Sequence, residues 1–401
     1  MRTIAILIAR FVAAITRLAG NSGTSLPGMI VTKLDRNILR KLAGEVKRGI
    51  IVVTGTNGKT TTANTCRALL EDAGYRVISN REGANMYNGV VTAFLLEAPL
   101  SGKLEVDYAV LESDELYTVQ LCAELTQKYF VVTNLFSDQE DRLGGVDQVR
   151  NTIARALKHA ISPDTVLILN QDNPDSAKLS ESVSQKTVFF STESLAAYHA
   201  SEITEEETLS FIAHTPEQEA HIVTNIRGRY NVSNILAAIA VATSEGVSLE
   251  QCAKTLKGYH TQPGRMERFM IEDKPVILNM AKNPAGFNRS MESADVGPGT
   301  FDVYLVTNNE VADGVDISWY REIEFERWEK EGPINIYVGG ECREEMAERI
   351  RNSGVKWSRI RLVDNPAEGL HKALNGAGKT LYVFANYSAV FDLRKELEQR
   401  I

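Results

Sequence analysis

The segment Gly49-Ile50-Ile51-Val52-Val53-Thr54-Gly55-Thr56-Asn57-Gly58-Lys59-Thr60-Thr61-Thr62 constrains this chain more than any other. A β-branched apolar run this short fits a strand buried on both faces. The glycines that follow break it, and a helix is expected directly after them. In that context successive backbone N–H groups can turn around a polyphosphate, and the helix N-terminus adds its partial positive charge. Gly55, Thr56, Asn57, Gly58, Lys59, Thr60 and Thr61 are therefore candidate phosphate-binding residues. Lys59 would reach the β and γ phosphates, and the Thr60 hydroxyl would coordinate Mg²⁺. The spacing departs from G-x-x-x-x-G-K-[ST], which needs a glycine where this chain has Val53. The alternative is a glycine-rich strand-to-helix turn that binds nothing.

Around this loop the chain alternates. Strands are predicted at Tyr108 to Glu112, Tyr129 to Asn134 and Thr165 to Asn170, and helices at Val119 to Leu125 and Val146 to Ala160 lie between them. Such alternation is the mark of a parallel sheet with helices on its faces. The stretch Ser184 to Ile226, with short apolar segments around an acidic run, predicts an antiparallel extension or hairpin insert. Tyr230 to Glu245 follows as an alanine-rich helix. Gln262-Pro263-Gly264 interrupts the pattern, and a second alternation starts at Pro275, with strands at Val276 to Met280, Asp302 to Val306, Ile334 to Val338, Ile360 to Val363 and Thr380 to Phe384. Two α/β domains are expected, 1–262 and 263–401, which agrees with a length of 401 residues, too long for one core.

Charge and cysteine narrow the function classes. With 44 Lys plus Arg against 52 Asp plus Glu the chain carries a net charge of −8, which disfavours a general nucleic-acid binder. Cys66, Cys122, Cys252 and Cys342 are far apart, so they form no C-x-x-C motif and suggest no disulfide framework; each reads as a small buried hydrophobe. The six histidines show no metal-ligand spacing. Ile4 to Leu18 is apolar but interrupted by Arg10 and Arg17, too short and too charged to cross a bilayer. The two arginines share one helical face, which predicts an amphipathic helix, either packed on its own domain or lying on a membrane surface. The stretch Gly20 to Gly28 reads as a loop.

The loop T-G-T-N-G-K-T-T resembles that of the Mur ligase family, ATP-dependent enzymes that activate a carboxylate as an acyl phosphate. Later segments are similar to the family's in the same order. In Leu111-Glu112-Ser113-Asp114-Glu115 the resemblance gives Glu112 to Mg²⁺, though a solvated acidic turn is the other reading. Thr133-Asn134 and the residues to Arg142 look like the strand end that lines the γ phosphate. Tyr230-Asn231-Val232-Ser233-Asn234 resembles the helix that meets the nucleotide base, which implicates Asn231 and Asn234. Gly264-Arg265-Met266-Glu267 resembles the interdomain G-R-x-E whose arginine, here Arg265, touches ATP. The implied fold is a P-loop ATPase domain with a mostly parallel sheet, followed by a smaller Rossmann-like α/β domain.

Asn80 to Asn85, Asp138 to Arg142, Lys282-Asn283-Pro284-Ala285-Gly286-Phe287-Asn288 and Ala312-Asp313-Gly314-Val315-Asp316-Ile317-Ser318-Trp319 are similar to the MurT branch of the family, the ligase subunits of lipid II isoglutaminyl synthases. This resemblance implies that ATP and Mg²⁺ activate the α-carboxylate of D-glutamate in the lipid II stem peptide. Ammonia from a separate GatD-like glutamine amidotransferase then gives D-isoglutamine, in the cytoplasm or at the inner face of the membrane. It also gives Asp313, with Asp316 in reserve, the work of orienting the partner's catalytic histidine; read alone, Asp313 is an Asp-Gly turn. The branch usually carries a four-cysteine zinc ribbon, whereas Ser191 to Ile222 holds no cysteine, so no zinc is expected. Other departures are Gly145 in place of a motif glutamate and Trp319-Tyr320-Arg321-Glu322 in place of W-x-W-D. Two alternatives stay open: a Mur-type ligase that adds an amino acid, against which only 48 residues precede the P-loop strand, and a nucleotide-binding scaffold without catalysis.

Overall fold

The computed structural model describes residues 2–18, 24–80, 84–136, 145–160, 162–206, 208–259, 264–294, 300–310, 313 and 317–401. By their contacts the described residues fall into two compact units, the second of which takes Ile226–Arg229 as well as the chain after Tyr259. Asp138 to Arg142, Gln262-Pro263 and Asp316 lie outside the described residues.

The first unit opens with helices α1 (Arg2–Leu18), α2 (Leu26–Leu34) and α3 (Ile38–Ala43). Strand β1 (Gly49–Thr54) then leads through the glycine loop into α4 (Lys59–Asp72). Next come β2 (Val77–Ser79), α5 (Tyr87–Glu97), β3 (Tyr108–Glu112), α6 (Thr118–Glu124) and β4 (Gln127–Val132). The helix Val146–Ala160 precedes β5 (Val166–Asn170), β6 (Thr187–Ser191), β7 (Tyr198–Glu205), β8 (Leu209–His214) and β9 (Glu219–Thr224), and the helix Asn231–Ser244 follows. The sheet order is β2-β3-β1-β4-β5-β6-β7-β8-β9. Every pair from β2 to β7 is parallel, and only β7-β8 and β8-β9 are antiparallel. The region after Ser184 therefore extends the parallel sheet by two strands before it turns back as a meander.

Alternation along the central strands accounts for their doubly apolar sequence. Ile50 and Val52, Ala109 and Leu111, Phe130 and Val132 join one cluster with residues of α1, α2, α3, α5 and α6, while the intervening Ile51, Val53, Val110 and Val131 are equally buried on the other face. The order of strands also decides where a ligand can bind. The chain leaves β1 for β2 and β3 on one side, then crosses to β4 on the other, so the carboxyl ends of β1, β3 and β4 meet at a topological switch point.

One amino-terminal expectation is corrected. The stretch to Gly28 is not all loop, because α2 begins at Leu26. Pro27 sits in its first turn, where a missing N–H costs nothing. Gly28 lets α2 press onto α5: its N–H donates to Thr92 Oγ1 at 2.8 Å, and a Cβ there would lie 2.1 Å from the Asn88 carbonyl oxygen. Helix α1 is packed on α2 and α5, yet it turns inward the small residues Ala5, Ala9 and Ala13 with Ile6, and leaves its large apolar residues outside.

The second unit adds β10 (Glu267–Ile271), unread in the sequence, antiparallel to β11 (Lys274–Met280). Strands β12 (Phe301–Val306), β13 (Ile336–Gly339), β14 (Ile360–Leu362) and β15 (Thr380–Ala385) complete a parallel array in the order β10-β11-β15-β12-β13-β14. Asn283 Oδ1 accepts from Gly286 N at 2.8 Å at the start of the helix Pro284–Ala294. Phe287 of that helix meets Trp319, Phe325 and Phe384 at centroid distances of 6.1, 6.4 and 6.0 Å. The two segments that most resemble the MurT branch thus pack against one another.

Candidate active site

At the switch point the glycine loop is shaped by both dihedral angle and space. Gly55 and Gly58 have φ of +126° and +86°, conformations that a side chain disfavours. A Cβ on Gly55 would lie 2.4 Å from Thr133 Oγ1, and one on Gly58 would lie 2.1 Å from Asn234 Oδ1. The loop is bound to the end of β4 by a ladder of polar contacts. Asn57 N donates to Asn134 Oδ1 at 3.0 Å, Asn134 Nδ2 returns a bond to Asn57 O at 2.9 Å, and Thr133 Oγ1 donates to the same carbonyl at 2.6 Å. Thr56 N donates to Asn134 O at 2.8 Å, and Thr56 Oγ1 accepts from Phe136 N at 2.9 Å. Strand β4 ends at Val132; Thr133 N still donates to Thr54 O of β1 at 3.0 Å, while the Thr133 and Asn134 side chains turn to the loop.

Lys59, the first residue of α4, is 6 % exposed and folds back over the loop. Its ammonium donates to the carbonyls of Gly55 and Thr56 and lies 3.3 Å from the carboxylate of Glu115, itself 3 % exposed. Thr60 Oγ1 donates to Glu112 Oε2 at 2.8 Å, and Asn85 Nδ2 donates to Glu112 Oε1 at 3.2 Å. Asn80 grips the backbone of the same residue, accepting from Glu112 N at 2.9 Å and donating to Glu112 O at 2.8 Å. Thr61 is half-buried on the next position of the helix. Asn231 and Asn234 are both buried at the start of the helix Asn231–Ser244, where Asn234 Nδ2 donates to Asn231 Oδ1 at 2.8 Å. The structure therefore brings Gly55 to Thr61, Glu112, Asn231 and Asn234 together in one unit.

Arg265 and Asp313 belong to the second unit. Arg265 is half-buried on a turn whose neighbours, Gly264 and Met266, both have positive φ, +73° and +50°. Three groups hold this turn: Glu267 Oε2 accepts from Gly264 N at 2.7 Å, Asn279 Oδ1 accepts from Met266 N at 3.0 Å, and Arg394 Nη2 lies 2.9 Å from Glu267 Oε1. Asp313 is 5 % exposed, and its carboxylate accepts from Ser388 N at 3.0 Å and Ser388 Oγ at 2.6 Å, at the start of the helix Tyr387–Glu398.

The cysteines are all free and buried. Burial pushes the Cys122 and Cys252 thiols up to about 12, which keeps them protonated at neutral pH. His199 and His214 face each other in the β7–β8 ladder and stack with centroids 4.4 Å apart, a packing role.

Residues 53–242 match the Mur ligase middle domain and residues 280–390 the MurT ligase C-terminal domain. The MurT subunit of the lipid II isoglutaminyl synthase (glutamine-hydrolyzing) of Staphylococcus aureus (strain COL) is 31 % identical over 88 % of this chain and 88 % of its own. The chain belongs to the MurT family. The MurT subunit from Streptococcus pneumoniae (strain ATCC BAA-255 / R6) is 29 % identical over 94 % of this chain and 93 % of its own. A MurF ligase from Thermotoga maritima, in complex with ADP, shares the fold with a TM-score of 0.74 at 20 % identity, over 92 % of this chain and 85 % of that one.

Against MurT motifs, the residues that sequence reasoning passed over are those that act on Glu112 and Lys59. Asn80 and Asn85 stood out only as part of a resemblance, and Glu115 only as a neighbour. The sole signal for Glu115 was its place after a buried strand, in Glu112-Ser113-Asp114-Glu115, where the fold turns the first and last carboxylates inward and leaves Asp114 half-buried.

Proposed function

We propose that this chain is the ligase subunit of a lipid II isoglutaminyl synthase, working with a GatD-like glutamine amidotransferase in peptidoglycan synthesis. The observation that carries the reading is the constellation of Lys59, Thr60 and Glu112 at the switch point of a MurT-family chain. Backbone N–H groups of the loop Gly55 to Thr61, apart from those of Thr56 and Asn57 that Asn134 engages, would hold the ATP phosphates at the N-terminus of α4, and Asn231 and Asn234 would face the nucleotide from their helix. The oxygens of Thr60 and Glu112, 2.8 Å apart, are the hard donors that Mg²⁺ prefers, and Asn85 fixes the second carboxylate oxygen. Bound there, the cation neutralises charge on the phosphates.

The α-carboxylate of D-glutamate in the stem peptide would attack the γ-phosphorus, forming an acyl phosphate with ADP as leaving group. Ammonia would then attack the acyl carbon, expelling phosphate and losing a proton to give the amide. A carboxylate is a poor electrophile, and phosphorylation converts its oxygen into a good leaving group. Lys59 would leave the carbonyls of Gly55 and Thr56 for the transferring phosphoryl group, with Arg265 stabilising the same charge from the second domain, 263–401. Asp313, fixed by Ser388, is the residue assigned to the partner's histidine, with Asp316 as the alternative. No described helix is long and apolar enough to cross a membrane, and we place the activity at the cytoplasmic face.

The test is to purify the chain with the neighbouring amidotransferase and follow the mass of lipid II. Conversion of one carboxyl to an amide, dependent on ATP and glutamine, is expected. An unchanged acceptor with ATP still hydrolysed, or a gain in mass equal to an amino acid, would sink the reading.

A further inference from the structure

Helix α1 is built inside out. At the helical period Ile4, Leu7, Phe11, Ile15 and Leu18 form one stripe, and they are exposed by 59, 51, 67, 50 and 88 %. The stripe is about 21 Å long at 1.5 Å per residue. Scattered apolar residues on a surface need no explanation, but a continuous row of five, including the only phenylalanine of the helix, does. Charge on this part of the chain is equally one-sided. Residues 1–34 carry Arg2, Arg10, Arg17 and Lys33 and no acidic residue, in a chain whose acidic side chains outnumber the basic ones by eight. Arg10 and Arg17 share one face beside the stripe; Arg17 is exposed there, while Arg10 Nη2 donates to Ala98 O at 2.8 Å.

We infer that the exposed stripe of α1 is a docking surface for an anionic lipid bilayer, with Phe11 and Leu18 entering the acyl boundary and Arg17 at headgroup level. An apolar face bordered by cations matches a membrane whose surface is negative and whose interior is apolar. The acid-free, basic stretch 1–34 favours a negative lipid surface over a second copy of the same basic stretch. The carboxyl end of α1 also reaches toward the reaction centre. Arg17 lines a cavity of about 160 Å³ together with Ser79, Asn80, Gly89 and Glu97, and Asn80 is the residue that holds the backbone of Glu112. The purpose of docking, to bring the ligase to an acceptor that stays in the membrane, rests on the function proposed above; the docking itself rests on the helix.

Vesicle co-sedimentation of the full chain with its partner subunit tests this without any acceptor. Binding to vesicles of phosphatidylglycerol and phosphatidylcholine is expected, weakening with salt and much weaker on phosphatidylcholine alone. Phe11→Glu should lower the partition coefficient about tenfold or more, Arg17→Gln about fivefold, and Phe11→Leu little. An unchanged melting temperature for Phe11→Glu shows that the fold is intact, as the exposure of Phe11 requires. Amidation of lipid II in detergent micelles should survive Phe11→Glu, so loss of membrane binding and failure of the ligase reading are separable. Absence of binding to anionic vesicles, equal binding by Phe11→Glu, or a dimer that Phe11→Glu converts to a monomer would each overturn the inference.

Discussion

Helices α1 and α4 break the same rule in opposite directions. Soluble proteins bury apolar side chains and expose polar ones, so α4, with Lys59, Thr62, Asn64 and Thr65 buried, and α1, with five large apolar residues exposed, both depart from it. Neither departure is an accident of composition. The amino end of α4 stands where the carboxyl ends of three strands converge, and two of these groups are held by partners of opposite character: Lys59 by carbonyls and Glu115, Asn64 by the Thr60 carbonyl at 2.8 Å. The apolar groups of α1 have no such partners, because the helix already packs through alanines. A fold tolerates a local breach of its own logic where a ligand or a surface completes it, and the two helices mark the two kinds.

The largest effect is expected from Lys59. If its burial serves the phosphoryl group, Lys59→Ala should lower kcat for ATP-dependent amidation by about 10³-fold, since removing a preorganised stabilising group in a dry site typically costs that much. Thermal unfolding should show a second, separate loss, because Glu115 would keep its buried position and lose its cation. Glu115→Gln divides the two effects: it leaves the buried Lys59 ammonium with carbonyls alone and should also lower stability, while activity falls far less than in Lys59→Ala. Equal activity losses in both variants would mean that the pair, and not the ammonium, is the working unit. Glu112→Gln comes next, with a fall in kcat of about 10²-fold and a higher Mg²⁺ concentration for half-maximal rate, read by titrating the cation. No change in the Mg²⁺ requirement would break the assignment of Thr60 and Glu112 to the metal.

Much of this was legible in the sequence, and the limit is physical. The strand, loop and helix around Lys59 announce themselves because β-branched residues, glycines and a Lys-Thr pair occur in the one order that a phosphate site needs. The alternation of strands and helices gave both sheets, and the helix Val146–Ala160 has the bounds expected of it. Strand β10 was missed because its Arg268 and Met270 face solvent and dilute the apolar pattern. Helix α1 was read as amphipathic, but which side packs is decided by the neighbour. Helices α2 and α5 pack closely on each other, with Gly28 against the Asn88 carbonyl, and the surface they offer α1 takes its alanine side and not the one bearing Phe11 and Leu18. Glu115 and Asn80 are long-range partners of the loop, and sequence distance hides them. Asp313 joins Ser388 across 75 positions in the same way.

A smaller prediction separates backbone strain from ligand space. Gly58 and Gly74 have nearly the same φ, +86° and +89°, but a Cβ on Gly58 would strike Asn234, while nothing lies within 4 Å of one on Gly74. Gly74→Ala should therefore show only the left-handed conformational cost, about 1 kcal/mol. Gly58→Ala should cost about 2 kcal/mol or more and weaken nucleotide binding at least tenfold, measured by calorimetric titration of ADP. Equal destabilisation of the two would show that the approach of Asn234 to the loop is loose.

The smallest expected effect on activity sets a buried charge with a structural job against those of the active site. Glu245 lies at the opposite ends of β3 and β4, where it accepts from the hydroxyls of Tyr108 and Tyr129 and pairs with Lys128 Nζ at 2.6 Å. Burial alone would raise its pKa, but the bonds from Lys128, Tyr108 and Tyr129 outweigh this and hold it below the usual carboxylate range. A carboxylate with a depressed folded pKa stabilises the protein above its unfolded pKa of about 4.3 and loses that contribution as pH falls through the folded value. Glu245→Gln should accordingly lower stability at pH 7 by about 2 kcal/mol, and the gap to the native chain should close as the medium is acidified below pH about 4. Activity per folded molecule should be unchanged. If Glu245→Gln instead impaired amidation as Glu112→Gln does, buried charge in this sheet could no longer be divided into a catalytic end and a structural one.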